Sequence, residues 1–390
     1  LSKKLLIISA SISVVLLSLL LFFLFNNEQS DINNNRTAEQ HNKISNFAME
    51  TKSYQASIKL NGIGDLLIHS PVYEDAETNG SYDFTPMFEP IEKYLKNADI
   101  TIANQETILG GTEIGLSTYP SFNSPFELGD ALKEVGVDIV SIANNHTLDR
   151  GEKAIMNATG HLNDIGLEYV GGYRSEEDRN THRILNRKGI SVGFLSYTYG
   201  TNGIPVPEGK DYLVNLIDVD TMLEDLEEIK SETDFVVVSM HFGQQYQPLP
   251  NEEQEFLSEL LISEGADVIL GHHPHVLQPV DWISSEDGDK VVYYSLGNFL
   301  SAQEGTERLI GAISQVELTK TIEDGSVKTK VSNAKLMPTY NLHDSETNFR
   351  IVPLADITDD QLEGANSWYE DTEELIKTFT DDIDVVPYLE

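Results

Sequence analysis

From Ser57 onward, short apolar runs alternate with longer amphipathic stretches, the pattern of strands interleaved with helices. Ile58 to Gly64 reads as a strand ending at Asp65, and Ile100 to Ala103 as one ending at Asn104-Gln105-Glu106. Asp138 to Ala143 ends at Asn144-Asn145-His146, and Phe235 to Met240 ends at His241. Ala266 to Leu270 runs into Gly271-His272-His273-Pro274-His275. Glu168 to Val170 and Val192 to Tyr197 are further strands. Helical spacing predicts helices over Pro86 to Lys96, Glu127 to Glu134, Ala154 to Asp164, Asp218 to Ser231 and Glu252 to Glu264. Val291 to Ser295 and Ala312 to Thr319 read as later antiparallel strands, and Ile322 to Thr339 as a hairpin. Near the C-terminus, Trp368, Tyr369, Leu375 and Ile376 would anchor one helix. The alternation predicts an α/β fold.

The polar residues add a second regularity. Asp65, Asn104/Glu106, Asn145/His146, His241 and His273/His275 each sit just beyond a predicted strand. In parallel α/β sheets the carboxyl ends of the strands share one edge, and sites gather there. A single such group could be turn chemistry alone, since Asp and Asn favour caps and turns. The five together point to one site.

The sequence is strongly acidic, with 64 acidic against 26 basic residues and a net charge of -38. Such a field repels nucleic acid and favours a hydrated surface. The chain has no cysteine, so thiolate metal sites, cysteine catalysis and disulfides are excluded. At the N-terminus Lys3-Lys4 precede Leu5 to Phe25, an uncharged run of Leu, Ile, Val, Phe and Ser. Roughly 20 such residues span a bilayer as a helix. Paired lysines place the short end in the cytoplasm. A cleaved signal peptide is the alternative, but the run is long for one and no small-x-small site follows it. The expected organisation is a cytoplasmic end (1–4), a transmembrane signal anchor (5–25), a polar flexible stalk (26–54), one folded domain (55–355) and an acidic C-terminal extension (356–390). The expected location is the cell membrane, single-pass, with the folded part extracellular.

The strand-end set offers carboxylates, a carboxamide and imidazoles. Oxygen and nitrogen donors of this kind suit Mn, Fe, Zn or Mg rather than copper or an iron–sulfur cluster. One or two divalent ions are expected; a pair roughly 3.5–4 Å apart would clamp both oxygens of a phosphoryl transfer.

The ordered motifs resemble a known family. Gly64-Asp65, Asn104-x-Glu106, Ala143-Asn144-Asn145-His146-x-x-Asp149-x-Gly151, His241-x-Gly243, Gly271-His272-His273-Pro274-His275 and Ser295-Leu296-Gly297-Asn298-Phe299 are similar to those of the bacterial capsule synthesis protein CapA family, associated with poly-gamma-glutamate synthesis or export. The resemblance covers about residues 57 to 320, including Tyr119 to Pro125 and Tyr197 to Gly203. It implies a metallophosphatase-like four-layer αββα sandwich, here preceded by one N-terminal transmembrane helix. By that resemblance the metal ligands are Asp65, Glu106 (in the bridging position), Asn145, His241, His273 and His275. His146 is the imidazole that protonates a leaving group or holds the transition state, and Asp149 orients it or caps the following helix. Asn104, Asn123, Tyr199, His272 and Asn298 are expected to face substrate. Two positions depart from the pattern. Leu67 stands where such enzymes carry a histidine, and Gln245 where the His-x-Gly-x-Glu motif has its glutamate. His69, four residues past Asp65, reaches the same site only if the chain turns after Leu66.

Two functions follow. One is a membrane-anchored extracellular factor in capsule or poly-gamma-glutamate formation whose metal site cuts a phosphoester or an amide. The other is a non-catalytic assembly or export subunit that contacts the membrane subunits of a polyglutamate synthase and binds anionic polymer.

Overall fold

The strand expected at Ile58 to Gly64 runs further in the computed structural model, from Tyr54 to Leu67, and both sides of one sheet assemble on it. In chain order the strands are β1 (Tyr54–Leu67), β2 (Glu77–Thr78), β3 (Ser81–Tyr82), β4 (Ile100–Asn104), β5 (Ile139–Ser141), β6 (Glu168–Val170), β7 (Arg183–Arg187), β8 (Ile190–Thr198), β9 (Phe235–His241), β10 (Val268–His272), β11 (Val280–Ser285), β12 (Gly288–Tyr293), β13 (Asn298–Ser301), β14 (Ile310–Glu323), β15 (Ser326–Leu342), β16 (Arg350–Pro353) and β17 (Asp384–Val385). The structure describes residues 53–390, and Tyr54–Glu390 form one unit. The expected cytoplasmic end, membrane anchor and nearly all of the stalk lie outside the described residues. Tyr54, placed at the end of the stalk by the sequence, already pairs with Ile322. Among the described residues no helix is long and apolar enough to cross a membrane.

The first sheet has the order β16-β15-β14-β1-β4-β5-β6, with β13 also pairing β1 and β17 pairing β15. Its β1-β4-β5-β6 half is parallel. The second sheet has the order β11-β12-β10-β9-β8-β7, and β8, β9, β10 and β12 are parallel. The strand expected at Val291 to Ser295 is therefore antiparallel only to β11; the β11–β12 hairpin carries the chain back so that Val291 aligns with Val268 in parallel.

Each sheet is apolar on both faces, which fixes the layering. Ile58, Leu60 and Ile102 of the first sheet pack against Val192, Val237 and Val268 of the second in one buried cluster. The outer face of the first sheet is covered by helices Glu127–Glu134 and Gly151–Ile165 through Leu128, Leu132, Ile155 and Leu162. Helices Val219–Lys230 and Glu252–Glu264 cover the second through Leu226, Ile229, Leu257 and Leu261. The result is the expected αββα order of layers. The single helix expected over Pro86 to Lys96 is broken into Thr85–Phe88 and Glu92–Lys96. Pro90 lies in the break, where it has no amide hydrogen to continue the helical ladder. The acidic residues after 356 fold back: Ile376 and Ile383 are buried with the inter-sheet cluster, and Val386 N–H bonds Leu336 O.

Two glycines let the layers close at the site. A Cβ on Gly64 would stand 2.1 Å from Gly297 O, and one on Gly271 would stand 2.0 Å from Tyr294 O. Backbones from neighbouring strands therefore pass where a side chain would be.

Candidate metal centre

Strand register brings the predicted residues together. Asp65 aligns with Asn104 on one side and Asn298 on the other, so three polar residues stand abreast at the end of the first sheet. His241 aligns with His272 and with Thr198 at the end of the second. The two sheet ends face each other. Beyond β10 the chain turns sharply: His273 and His275 hold φ of 96° and 59°. Left-handed backbone is unfavourable for residues with a Cβ and is found where surrounding contacts enforce it. Here it brings the His275 imidazole and the His273 N–H to Asp65.

Asp65 is fully buried. Its Oδ1 accepts from Asn104 Nδ2 at 2.8 Å, and its Oδ2 lies 3.0 Å from His275 Nδ1. That same Nδ1 is 3.1 Å from Asn298 Oδ1. Both neighbours are acceptors, so Nδ1 carries the hydrogen and Nε2 keeps its lone pair. Asn298 thus orients an imidazole; its own amide hydrogens go to Gln303 Oε1 and Arg308 O. His272 Nδ1 is 3.3 Å from Asp65 Oδ1 but off hydrogen-bonding geometry, and it has no other partner among the described residues.

Glu106 differs from Asp65, the cluster's hydrogen-bonded carboxylate. It is fully buried, and neither carboxylate oxygen has a hydrogen-bond partner among the described residues. Its Oε1 lies 3.6 Å from His241 Nε2 and 3.7 Å from His275 Nε2. Unpaired buried carboxylates are costly. Ligand atoms of Asp65, Glu106 and His241 fall within 4.8 Å of one another, as do those of Glu106, His273 and His275. Glu106 belongs to both sets, so it is the residue able to bridge two cations. Asn145 Oδ1 is 2.9 Å from His241 Nε2 and adds an oxygen donor beside the first set. Orphaned donors and an N/O ligand set fit a divalent metal.

The electrostatics follow from this packing. Burial works to raise the Asp65 carboxyl, but the His272 and His275 imidazoles overcome it and hold Asp65 well below the usual carboxylate range. Burial, then the charges of Asp65 and Asp149, push Glu106 well above that range. Burial, reinforced by neighbouring imidazoles, lowers His241 strongly and takes His273 down to about 3. Neutral imidazole is the form that binds metal.

At the next strand end, His146 Nδ1 is 2.7 Å from Asp149 Oδ2, which also accepts Phe122 N–H at 2.7 Å. The carboxylate fixes the hydrogen on Nδ1 and leaves Nε2 as the working atom. The edge of Phe122 meets the His146 ring with centroids 4.7 Å apart. Asn144, by contrast, is spent on the turn: its Oδ1 accepts His146 N–H and its Nδ2 donates to Gln105 O.

Tyr199 stands at the mouth, 46% exposed, with its ring 4.6 Å from that of His273. Asn123, expected to face substrate, does not reach the cluster with its amide hydrogens. Both are committed to Gly111 O and Gly115 O, where they hold a loop. Leu67 is core. Gln245 keeps its Nε2 3.5 Å from His275 Nε2. His69 turns back to bond Leu67 O and packs edge-on to Phe122, and burial lowers it to about 4. Sequence reasoning left Phe122, Asn202 and Tyr246 without roles at the site. Asn202 Oδ1 accepts from Asn145 Nδ2 at 3.2 Å, and the Tyr246 ring lies 6.2 Å from that of His275.

A family model described as bacterial capsule synthesis protein PGA_cap matches residues 59–303, more than half of the chain. The chain belongs to this family. Every residue of the cluster lies inside the matched span. The capsule biosynthesis protein CapA of Bacillus anthracis is 29% identical over 270 residues, which are 66% of this chain and 62% of that protein. The PGA biosynthesis protein CapA of Bacillus subtilis (strain 168) is 27% identical over 268 residues, 66% of this chain and 67% of that one. The chain therefore spans about two thirds of the length of these relatives. Among solved structures, the calcineurin-like phosphoesterase YfkN from Bacillus subtilis has 16% identity and a TM-score of 0.41, covering 82% of this chain and 98% of that chain. A putative 5'-nucleotidase from Staphylococcus aureus has 15% identity and a TM-score of 0.41, covering 81% of this chain and 58% of that chain.

Proposed function

We propose that this family member is a metal-dependent hydrolase of the metallophosphatase type. It acts in capsule or poly-gamma-glutamate formation, held at the outer face of the cell membrane by Leu5 to Phe25, and cuts a phosphoester or an amide. The observation that carries the reading is Glu106, buried with both oxygens unpartnered between two groups of imidazoles. Asp65, Glu106, His241 and Asn145 would hold one divalent ion, and Glu106, His273 and His275 a second. Mn, Fe, Zn or Mg suits the donors. Such an ion supplies Lewis acidity toward a phosphoryl or amide oxygen.

The chain's own residues do the rest. Asp65 and Asn298 fix the His275 tautomer so that Nε2 points its lone pair inward. Burial keeps His241 and His273 neutral and ready to ligate. His146, with its Nδ1–H held by Asp149, would take up a proton at Nε2 and, as the imidazolium that the carboxylate stabilises, deliver it to a leaving oxygen or nitrogen. Tyr199 and Phe122 wall the approach to the two active imidazoles.

A second reading, a non-catalytic assembly or export subunit of a polyglutamate synthase complex, draws on Leu67 and Gln245. These replace an imidazole and a carboxylate that the metallophosphatase pattern would supply. Metal analysis of the purified full-length protein, with hydrolysis of a generic phosphoester, separates the two. Bound divalent metal, and activity lost in H146A and H241A, is the expected result. Activity that survives both substitutions sinks the hydrolase, and absence of metal together with polymer loss in a deletion strain favours the assembly role.

A further inference from the structure

A cavity of about 400 Å³ opens beside the metal centre, between the body and the C-terminal helix Ala365–Ile376. Tyr246, Arg308, Trp368 and Leu375 line it, and Glu307 and Asp371 are its acidic residues. Val276, next in the chain to His275, also lines it.

Arg308, with Arg150, Arg174 and Arg350, is one of the described arginines that stand outside any salt bridge. Arg179, Arg183 and Arg187 each pair with an aspartate. Arg308 makes no salt bridge among the described residues, although the chain carries a net charge of -38. Its guanidinium is nonetheless held in place. It lies over the Tyr246 ring at 4.8 Å, and on another side it rests against Gly305, where a Cβ would stand 2.7 Å from Nη2. Tyr246 is itself set by a left-handed backbone (φ 63°) and by its N–H bond to Pro274 O at 2.8 Å. A guanidinium held by its packing and engaged in no salt bridge is a ready site for a planar carboxylate.

The other polar groups restrict what that carboxylate belongs to. Glu307 and Asp371 oppose a simple anion at this cavity and favour a cation. The apolar walls favour methylene groups. All three demands are met by one chemistry: a carbon bearing both a free carboxylate and a free ammonium, at the end of an aliphatic chain. We infer that this cavity is a binding subsite for an α-amino-acid head group, with Arg308 taking the carboxylate and Asp371 and Glu307 the ammonium. The inference rests on the proposed function for its substrate. In a γ-linked glutamate chain only the amino-terminal residue carries both groups on one carbon, so the subsite would read that end. It is coupled to the centre through Asn298, which donates to Arg308 O and accepts from His275.

The test is isothermal titration of the full-length protein with three dipeptides: γ-glutamylglutamate, its N-acetylated form, and α-linked glutamylglutamate. The γ-linked dipeptide should bind about tenfold or more tightly than the other two, because each of those lacks one charged partner of the head group. R308Q should weaken it by about the same factor. Should R308Q lower the melting midpoint, the exposed Asp371→Asn change tests the ammonium side independently: it should weaken the γ-linked dipeptide and leave the acetylated one unaltered. Equal binding of the three dipeptides, or binding indifferent to both substitutions, overturns the subsite. Titration in chelator separates this inference from the hydrolase reading, since selective binding without bound metal supports the subsite even where hydrolysis fails.

Discussion

Glu106 Oε1 lies 3.7 Å from His275 Nε2, with both residues buried. That is too long for a hydrogen bond. It is the separation of two atoms bound to one cation, since ligands at about 2.0–2.2 Å from an ion stand roughly 3–4 Å apart. The pair gives a prediction whose sign depends on metal. Without a cation, Glu106 is a buried acid with its pKa raised, so it opposes folding increasingly as pH rises above the ordinary carboxylate range. With a cation it becomes a ligand. In chelator at pH 8, E106Q should melt no lower than the wild type. With metal at a thousandfold over its dissociation constant, the wild type should gain about 4 kcal/mol and E106Q markedly less. Thermal melts with and without metal check this; an equal metal increment in both proteins would remove Glu106 from the site.

His146 and Asp149 make a second prediction. The 2.7 Å contact fixes the imidazole hydrogen on Nδ1. In D149N the amide neither holds Nδ1–H in place nor stabilises the imidazolium, so Nε2 loses its proton-donating role. The turnover number should fall by roughly 10²–10⁴ with little change in KM. Some stability is lost as well, because Asp149 Oδ2 also accepts Phe122 N–H. A rise confined to KM, with the turnover number unchanged, would instead make Asp149 a substrate contact.

Much of the site was legible because its residues sit at strand ends. Apolar runs mark the ends of β1, β4, β5, β9 and β10: Asn104, His241 and His272 are the last residues of their strands, Asn145 follows β5, and Asp65 lies just inside the end of β1. Register then aligns them without any further specification. The rest depended on information that periodicity does not carry. The left-handed backbone at His273 and His275 decides which histidines turn inward, and a non-glycine residue gives no local sign of it. Asn123 looked like a site residue because its neighbours are, yet its amide closes a loop. Arg308 lies outside every motif, and only the fold brings it to Tyr246. The parallel placement of β12 was hidden because a hairpin strand and a crossover strand share one apolar pattern.

Acid should unfold the protein partly through His69. Burial lowers its imidazole from 6.5 to about 4. Between those pH values the unfolded chain binds a proton that the folded chain refuses, so stability is intact above about 6.5 and falls as pH drops toward 4. The contribution is on the order of 2–3 kcal/mol. H69Q has no proton to take up. Urea midpoints measured at pH 7 and pH 4.5 should therefore converge in H69Q relative to the wild type. His273, lowered to about 3, acts in the same direction and extends the sensitivity further into acid. An unchanged pH slope in H69Q would show that His69 titrates alike in both states.

Gly271 tests whether the histidine turn is set by its backbone. It is not in a left-handed conformation, so the usual conformational argument for glycine does not apply. What excludes a side chain is Tyr294, whose carbonyl oxygen would be 2.0 Å from a Cβ and whose carbonyl carbon would be 2.5 Å away. Both are backbone atoms of the segment after β12, which pairs with β10 and cannot yield without opening the sheet. Leu296 N–H also bonds Gly271 O at 3.1 Å, so moving the strand apart loses that bond. Overpacking of this kind costs about 2 kcal/mol or more. The cost falls next to the ligands: His272 is the adjacent residue, and His273 and His275 follow on the same turn. G271A should lower the melting midpoint and reduce metal affinity together. G160A, at a helical glycine with open space around its Cβ position, should do neither. If G271A destabilised the protein while its metal affinity stayed at the wild-type value, the turn geometry would be set downstream of Gly271, by Pro274 and the bond from Tyr246 N–H to its carbonyl.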